Sequence, residues 1–453
     1  MMRKNLLVLI LLSAVVFTGC SNANFTIRTV IEQIQNKEQA ERLHYYDSPY
    51  TLCYSNKDGT YSFYIFASPV QYKTKSGYEM IDNTVVESAY ENYVFENKAS
   101  DIKTYFPSKI SEGIFIASES EYMSIIPDFE MDGFSDAETK IITNMYGDKV
   151  SGVVYKNKEM DLYFYPTLAG TKMEILWNTK PKSNILKFML HTSATHYSSN
   201  GNGYILFKSG AQNSSVVYMP LIKDSGNNTN IVRDVNIEGE WENYEISIPL
   251  DKEALSDENA KYPVHMDLSF DLYRNKLPDS TVYSQSDINN YLANYAVIGE
   301  HPVLGEGWHY TRARIQYFIN LTKDSILSAH FSIRDLSGNP PGFSIAMEKV
   351  GKQWSSTGIL WDSKADSLGI LSKAQSDKNH TFVFDMTDFV RESLEDTTLE
   401  TESIGVVLKS EEQNKNTIIA TSDNSLYPPY LCIKTSDAPG YFHPKDNINE
   451  TQY

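Results

Sequence analysis

Cysteine is scarce in this chain, with three among 453 residues, and no two of them form a C-x-x-C pair. No Cys/His pattern has the spacing of a structural zinc site, so the sequence predicts no metal. Cys53 and Cys432 are so distant along the chain that we place them in different domains. We expect both to be free thiols, with a disulfide between them as the alternative.

Basic residues are also few: 40 Lys and Arg stand against 58 Asp and Glu, for a net charge of −18. Nucleic acid and anionic lipid headgroups repel a chain of this charge, which argues against a nucleic-acid partner. The same charge disfavours an acidic polysaccharide as ligand, unless a local basic patch overrides it.

A long apolar run occurs at the N-terminus, over residues 6–17, broken by Ser13 and preceded by Arg3 and Lys4. The run is too short to cross a membrane as a helix, which takes about 20 residues. Its length and its positive flank are typical of the apolar region of a secretory signal peptide.

The segment Phe17-Thr18-Gly19-Cys20 ends this run and resembles the bacterial lipobox, in which the cysteine is acylated and becomes the mature N-terminus. The resemblance implies a lipoprotein signal peptide over residues 1–19, a lipid on Cys20 and an extracytoplasmic chain anchored to the cell membrane. Two or three acyl chains would suffice for stable anchoring. An ordinary signal peptide or an uncleaved anchor is the alternative.

Tyrosine (31) and phenylalanine (20) are plentiful. Such residues fill half-buried strand surfaces, although exposed aromatic platforms for sugar rings would use them too. Alternating polar and apolar residues predict strands at 61–65, 153–155, 162–165, 185–190, 204–207, 311–321, 326–333, 343–349, 381–385, 403–408, 417–420 and 429–434. Short strands separated by turn-forming residues predict an all-β chain of two successive antiparallel β-sandwich-like domains.

The helical pattern is confined to residues 27–43 and 386–394, the second with Asp385 or Thr387 as its cap. We predict a tether with a short helix over residues 20–50, and a disordered tail over 437–453. The two domains are predicted over residues 51–255 and 262–436, separated by a polar stretch.

Several motifs follow one another in the second half of the chain: Tyr262-Pro-Val-His-Met-Asp267, Asp279-Ser-Thr-Val-Tyr283, Arg312-Ala-Arg314, Trp354 with Trp361, Phe384-Asp-Met-Thr-Asp-Phe-Val390 and Pro429-Tyr-Leu-Cys-Ile433. Their order resembles the DNRLRE domain, a β-sandwich module of large bacterial and archaeal surface proteins that is related to a carbohydrate-binding module family. The string that names the domain is absent. The resemblance implies a β-sandwich that binds glycan.

The first half resembles the region that precedes this module in wall-associated and Rhs-type surface proteins. The motifs Asp58-Gly-Thr-Tyr61, Ile81-Asp-Asn-Thr84 and Tyr105-Phe-Pro107 carry this similarity. The repeats, toxin and protease domains of those large proteins are not present in this sequence.

Candidate chemistry is concentrated in His301-Pro-Val-Leu-Gly-Glu-Gly-Trp-His309, which joins two predicted strands. Its imidazoles and carboxylates match no metal or catalytic motif, so we predict no catalytic residue and no cofactor. Trp308, His309 and Tyr310 could instead form a ligand-binding surface, because sugars stack on exposed aromatic faces.

Other candidates favour structural roles. Trp354 and Trp361 are expected to pack in the core and at a strand edge, with sugar stacking as the alternative. Asp267, Asp279 and Asp385 are expected to cap turns, although β-sandwiches also bind calcium through such oxygens. His196 is expected to be exposed in a hairpin.

These features favour a non-catalytic, membrane-anchored surface protein whose second domain binds glycan or cell-envelope material. The first alternative is a polysaccharide lyase or glycosidase with a targeting module. The second is an architectural envelope protein that binds other proteins.

Overall fold

The structure is a computed structural model that describes residues 41–128, 133–199, 204–226, 229–232, 235–250, 261–274, 278–312, 321–350, 354–395 and 405–438. Cys20, the signal peptide, residues 439–453 of the predicted tail and most of the first predicted helix lie outside these ranges. The C-terminal end of that helix is predicted wrongly, because Glu41–Arg42 form a strand.

The chain is all-β, as predicted. The strands before residue 250 are β1 (Glu41–Arg42), β2 (Thr51–Ser55), β3 (Tyr61–Phe66), β4 (Gln71–Thr74), β5 (Gly77–Met80), β6 (Asp82–Glu87), β7 (Phe95–Ala99), β8 (Lys103–Phe106), β9 (Ile114–Ala117), β10 (Tyr122–Pro127), β11 (Glu138–Thr143), β12 (Lys149–Lys156), β13 (Met160–Pro166), β14 (Gly170–Trp177), β15 (Ile185–Thr192), β16 (His196–Ser199), β17 (Tyr204–Ser209), β18 (Gln212–Asp224), β19 (Thr229–Ile231), β20 (Asn236–Glu240) and β21 (Asn243–Pro249).

The later strands are β22 (Val264–Leu272), β23 (Ser280–Tyr283), β24 (Tyr295–His301), β25 (Gly305–Arg312), β26 (Ile326–Arg334), β27 (Ser344–Val350), β28 (Ser367–Gln375), β29 (Thr381–Asp385), β30 (Gly405–Ser410), β31 (Asn416–Ala420) and β32 (Tyr430–Thr435). The second predicted helix is α1 (Thr387–Glu395). Single 3-10 turns occupy His44–Tyr46, Ile110–Glu112, Lys323–Ser325 and Trp361–Ser363. Within the described ranges, none of the helices is long and apolar enough to cross a membrane.

The first sandwich consists of an eight-stranded sheet and a nine-stranded sheet. The strand order is β20-β21-β15-β10-β9-β8-β7-β6 in the former and β11-β12-β13-β14-β22-β18-β17-β16 in the latter, where β19 also pairs with β18. Alternate side chains of both sheets point inward and form one apolar core, in which Phe106 and Phe188 meet Phe164 and Phe270. Burying these faces is the main stabilising contribution of the fold.

The second sandwich pairs a six-stranded sheet, in the order β1-β2-β3-β32-β26-β29, with a seven-stranded sheet. The seven-stranded sheet has the order β28-β27-β30-β25-β24-β31, and β23 also pairs with β25. Their shared core contains Phe63 and Phe331 from one sheet and Ile298 and Leu408 from the other. Every pairing between described strands of both sandwiches is antiparallel, as the prediction of antiparallel sandwiches requires.

The limits of the sheets differ from the predicted domain limits of 51–255 and 262–436. Strands β2 and β3 belong to the second sandwich, where β3 pairs with β32 along its whole length. Strand β22 lies instead in the first sandwich, between β14 and β18. The chain therefore starts in the second sandwich, builds the first and returns, a path that short-range sequence patterns do not reveal.

The two cysteines lie in one sheet, and their placement in different domains is wrong. Cys53 is in β2 and Cys432 in β32, with β3 between them. Cys53 points into the core of the second sandwich, whereas Cys432 packs on the opposite face beside Tyr64. The two form no disulfide with each other, as expected.

Candidate functional site

The residues singled out in the sequence lie on the β24–β25 hairpin, but not as an exposed surface. Tyr310 is fully buried and its hydroxyl donates a hydrogen bond of 3.0 Å to the Ala365 carbonyl. His309 is 1% exposed and points to the opposite face of the strand. The expectation that Tyr310 offers a free aromatic face is therefore wrong: residues 354–366 cover this side of the seven-stranded sheet.

His309 forms a chain of polar contacts that superficially suits catalysis. Its Nδ1 lies 3.0 Å from the Thr281 hydroxyl and its Nε2 lies 3.5 Å from Asp279. A hydroxyl, an imidazole and a carboxylate in this order are the parts of an activated nucleophile. All three side chains are almost completely excluded from solvent, so no substrate reaches them, and the contacts fix β23 against β25.

The second histidine of the motif does not join this group. His301 accepts hydrogen bonds from the backbone N–H groups of Val303 and Leu304 within the hairpin turn. It faces Gly305 in register, four residues or about 13 Å along β25 from His309. Across the described ranges, no group of three or more His, Cys, Asp or Glu side chains is placed to hold a metal ion.

Trp308 is half-buried and contacts Trp361, with ring centroids 5.0 Å apart. Lys409 Nζ lies 3.8 Å from the centroid of the Trp308 ring, and Lys364 Nζ lies 4.0 Å from that of Trp361. The indole nitrogen of Trp308 donates to Glu306. These cation–π contacts occupy the ring faces on which a sugar would stack, so the indole pair is a poor platform as it stands.

The other residues considered as ligand-binding candidates make contacts that stabilise the fold. Trp354 is buried against Tyr310, which fits the expected core role. Asp385 accepts hydrogen bonds from the backbone and hydroxyl of Thr387, at the start of α1. Asp267 contacts Lys172 at 2.7 Å, and Asp279 accepts a 2.7 Å bond from the Ser422 backbone in addition to its contact with His309. His196 is exposed, as expected.

An aromatic surface that the sequence did not predict lies on the outer face of the eight-stranded sheet. Five aromatic rings form a continuous series there, which we call the tyrosine strip: Tyr90, Tyr93, Tyr105, Phe115 and Tyr122. Tyr90 is 53% exposed and the other four rings are half-buried. The strip crosses the direction of β8, β9 and β10 and begins in the turn between β6 and β7.

The rings of the tyrosine strip are neighbours at regular spacing. Centroids are 5.3 Å apart between Tyr90 and Tyr105, and 6.1 Å apart both between Tyr105 and Phe115 and between Phe115 and Tyr122. Tyr93 and Phe115 are inclined by only 12° at 6.0 Å. Near-parallel rings at this distance are offset rather than face to face.

Strand periodicity explains why these rings point outward. In β8 the side chains of Thr104 and Phe106 are buried, which turns Tyr105 to the opposite face. The same alternation in β9 and β10 turns Phe115 and Tyr122 outward. Tyr105 and Phe115 are direct cross-strand partners, the arrangement in which aromatic pairs stabilise a sheet.

A tight turn supplies the other two rings. The backbone N–H of Tyr93 donates to the Tyr90 carbonyl at 2.9 Å, which closes a turn with Glu91 and Asn92 at its centre. Ser88 Oγ accepts from the Tyr90 backbone N–H and donates to Glu96. The turn therefore holds both phenols against the end of the strip.

Carboxylates surround the tyrosine strip. Burial, followed by the charges of Tyr90 and Glu112, raises the pKa of Tyr93 above its ordinary value. Burial and the Glu96 carboxylate do the same for the pKa of Tyr105, and burial and Glu242 for that of Tyr122. These three phenols therefore stay protonated at neutral pH and offer hydroxyl groups that donate and accept hydrogen bonds.

A cavity of about 420 Å³ opens elsewhere in the first sandwich. Trp177, Glu159 and the lysines Lys158, Lys180 and Lys182 line it. Lys182 forms an ion pair with Glu159. Among the described lining residues we find no nucleophile with an adjacent base, and catalysis would need such convergent groups.

Comparisons with known proteins add little to this geometry. The chain matches no protein-family model and no curated protein. Among solved structures it is similar to the N-terminal CBM22-1-CBM22-2 tandem domain from Paenibacillus barcinonensis Xyn10C, at 9% identity, over 75% of this chain and 99% of that chain. The TM-score of 0.13 is too low to support any inference.

The tyrosine strip was not predicted from the sequence, whose candidate ligand-binding residues lie in the second half of the chain. A signal was present: Tyr105, Phe115 and Tyr122 each occupy a position where strand alternation requires a solvent-facing side chain. Sequence alone could not show that β8, β9 and β10 are neighbours, and so could not unite the three rings.

Proposed function

We propose that this chain is a non-catalytic glycan-binding protein, held at the outer face of a membrane by a lipid on Cys20. The tyrosine strip carries the proposal. Sugar rings present apolar C–H faces together with hydroxyl groups, and rigid aromatic rings with polar tips match both kinds of group. The proposed binding site lies in the first sandwich, whereas the sequence suggested a site in the second domain.

The geometry of the strip favours an extended ligand over a small one. Tyr90, Tyr105, Phe115 and Tyr122 form a row, and their offset rings provide a succession of stacking surfaces. A polysaccharide chain lying across the strands would contact several rings at once. Each contact alone is weak, but contacts made by one chain reinforce one another because binding the first raises the effective concentration of the next.

Binding is tested with the full mature chain carrying Cys20→Ala, so that it is isolated without lipid. Affinity electrophoresis in gels containing xylan, mannan or mixed-linkage β-glucan measures retardation by each polymer. We expect retardation in at least one gel, weakened about tenfold by Tyr90→Ala combined with Tyr93→Ala, as for central aromatic contacts in other interfaces. The matched control is Tyr45→Ala, a tyrosine 58% exposed and distant in sequence.

If the double variant is retarded as strongly as the native sequence, the tyrosine strip is not the binding site. If no polymer retards the chain, it does not bind these glycans and the proposed function is wrong. Near-identical circular dichroism spectra of the variants check that the fold is intact. The anchor is tested separately: metabolic labelling with palmitate should label the native chain and not Cys20→Ala. Labelling that persists in the variant would exclude Cys20 as the lipid site.

A further inference from the structure

The charges around the tyrosine strip define the class of glycan it would bind. Glu96 stands directly opposite Tyr105 in the register of β7 and β8. Glu112 lies in the 3-10 turn before β9, and its charge acts on Tyr93. Glu242, in the turn between β20 and β21, acts on Tyr122. Negative charge is therefore present near both ends of the strip and near its middle.

Lysines on the outward positions of the same sheet are engaged in ion pairs, and one of these pairs neutralises Glu96. Lys103 Nζ contacts Glu96 Oε1 at 3.0 Å and also donates to the carbonyl of Asn97 at 2.7 Å. Lys98 pairs with Asp82 at 2.9 Å, and Lys187 pairs with Glu245 at 2.6 Å. An anionic ligand would have to displace these partners, whereas Glu112 and Glu242 would repel it.

Carboxylates beside aromatic rings suit a ligand made of hydroxyl groups. A carboxylate accepts hydrogen bonds from two neighbouring hydroxyls, and such charge-assisted bonds are stronger than neutral ones. A sugar without ionised groups is not repelled by these carboxylates, so charge repulsion does not weaken its binding. Charge complementarity thus favours a neutral ligand that donates hydrogen bonds, and the row of rings favours a linear one.

We infer that the tyrosine strip selects uncharged, linear polysaccharides over acidic ones, with the chain lying across β8, β9 and β10. This inference rests on the proposed glycan-binding function and adds the class of substrate. Stacking against successive rings supplies the attraction, and Glu112 and Glu242 accept hydrogen bonds from sugar hydroxyls. The net charge of −18 adds to the repulsion of acidic polymers.

A pair of probes that differ by methyl esterification, and so chiefly in charge, tests the inference: polygalacturonate and the same polymer with its carboxylates fully methyl-esterified. The full mature chain carrying Cys20→Ala is measured against both by biolayer interferometry at low and at high salt. We expect the esterified polymer to bind about tenfold more tightly at low salt, and the difference to shrink at high salt because salt screens repulsion.

Variants assign the selectivity to named residues. Glu112→Gln with Glu242→Gln should reduce the preference for the esterified polymer, because both remove a negative charge and keep the side-chain shape. The matched control is Glu392→Gln on α1, a carboxylate whose side chain is 66% exposed, which should leave the preference unchanged. Tyr90→Ala should weaken the binding of the esterified polymer.

Three outcomes would overturn the inference. Equal binding of both polymers through the strip would remove the selectivity and leave glycan binding intact. Tighter binding of polygalacturonate would reverse the assigned class. Failure of the esterified polymer and of xylan, mannan and mixed-linkage β-glucan alike would remove the proposed function together with the inference.

Discussion

The hydroxyl of Tyr427 donates a hydrogen bond of 2.6 Å to Asp148 Oδ2, and this contact joins the two sandwiches. Asp148 lies in the β11–β12 hairpin of the first sandwich, whereas Tyr427 precedes β32 in the second. Arg334, at the end of β26, donates to the same oxygen at 2.8 Å. Asn144 donates to the Tyr427 hydroxyl at 2.8 Å. Burial, together with the Asp148 charge, raises the pKa of Tyr427 well above its ordinary value.

We expect Tyr427→Phe to lower the free energy of unfolding by about 1–3 kcal/mol, because Asp148 loses a donor and Asn144 loses an acceptor in a buried site. Urea denaturation followed by fluorescence measures the change. The control is Tyr72→Phe, whose hydroxyl makes a 3.4 Å contact with Glu79 at the surface. A loss no larger than that of the control would show that the network does not stabilise the joined sandwiches.

The outer face of the nine-stranded sheet carries a buried ion pair, Lys172 with Asp267 at 2.7 Å. Lys172→Met should cost about 3–5 kcal/mol, because it leaves a buried carboxylate without its cation. Adding Asp267→Asn should recover part of that loss. Thermal and urea unfolding of the single and double variants form the test.

The control for this pair is Lys98→Met, which breaks the surface pair with Asp82 at 2.9 Å. A surface pair contributes at most about 1 kcal/mol. If Lys172→Met were as mild as Lys98→Met, the buried pair would not be a significant source of stability.

Asp58 should titrate at unusually low pH. The Thr60 hydroxyl, and after it Lys434, lowers the pKa of Asp58 from 3.8 to about 2. The ionised form is favoured in the fold, so its stabilisation is present above pH 3.8 and is lost as the pH falls through about 2. Carboxyl-carbon NMR titration should show this pKa, and Thr60→Val should raise it. A pKa near 3.8 in the native chain would contradict the prediction.

Cys53 should resist modification in the folded protein. Burial, and to a smaller extent Asp47, raises the pKa of its thiol far above the ordinary value, and the thiolate is the reactive form. In a chain carrying Cys20→Ala, Ellman's reagent at pH 8 should leave Cys53 unmodified until guanidinium is added, and mass spectrometry locates the label. The half-buried Cys432 serves as the internal comparison. Equal labelling of both thiols in the folded chain would refute the expectation.

Local patterns predicted the elements more closely than their partners. The predicted strand at 381–385 coincides with β29, and the predicted helix at 386–394 differs from α1 by one residue at each end. Both segments satisfy a local rule, either strand alternation or helix capping. The helix predicted over 27–43 fails at Glu41–Arg42, because pairing with β2 outweighs a weak helical preference there.

The candidate site also depends on contacts that the sequence did not show. The sequence placed Trp308 and His309 in a segment joining two predicted strands, with the second strand starting at 311, whereas the structure places both residues, with Tyr310, inside β25. The burial of Trp308 and Tyr310 depends on residues 354–366, which fold back over the sheet from far along the chain. The tyrosine strip needs β8, β9 and β10 side by side, and a residue's neighbours across a sheet are not written in its own segment.

The sequence by itself determined the all-β class and the side of its strand on which each residue lies, because side-chain direction alternates with every residue. It also contains the lipobox-like segment that predicts the anchor at Cys20. The tertiary structure decided which strands meet: β3 pairs with β32, and β22 lies between β14 and β18. Backbone hydrogen bonds between strands are available to any sequence, so packing of the whole core selects the partners.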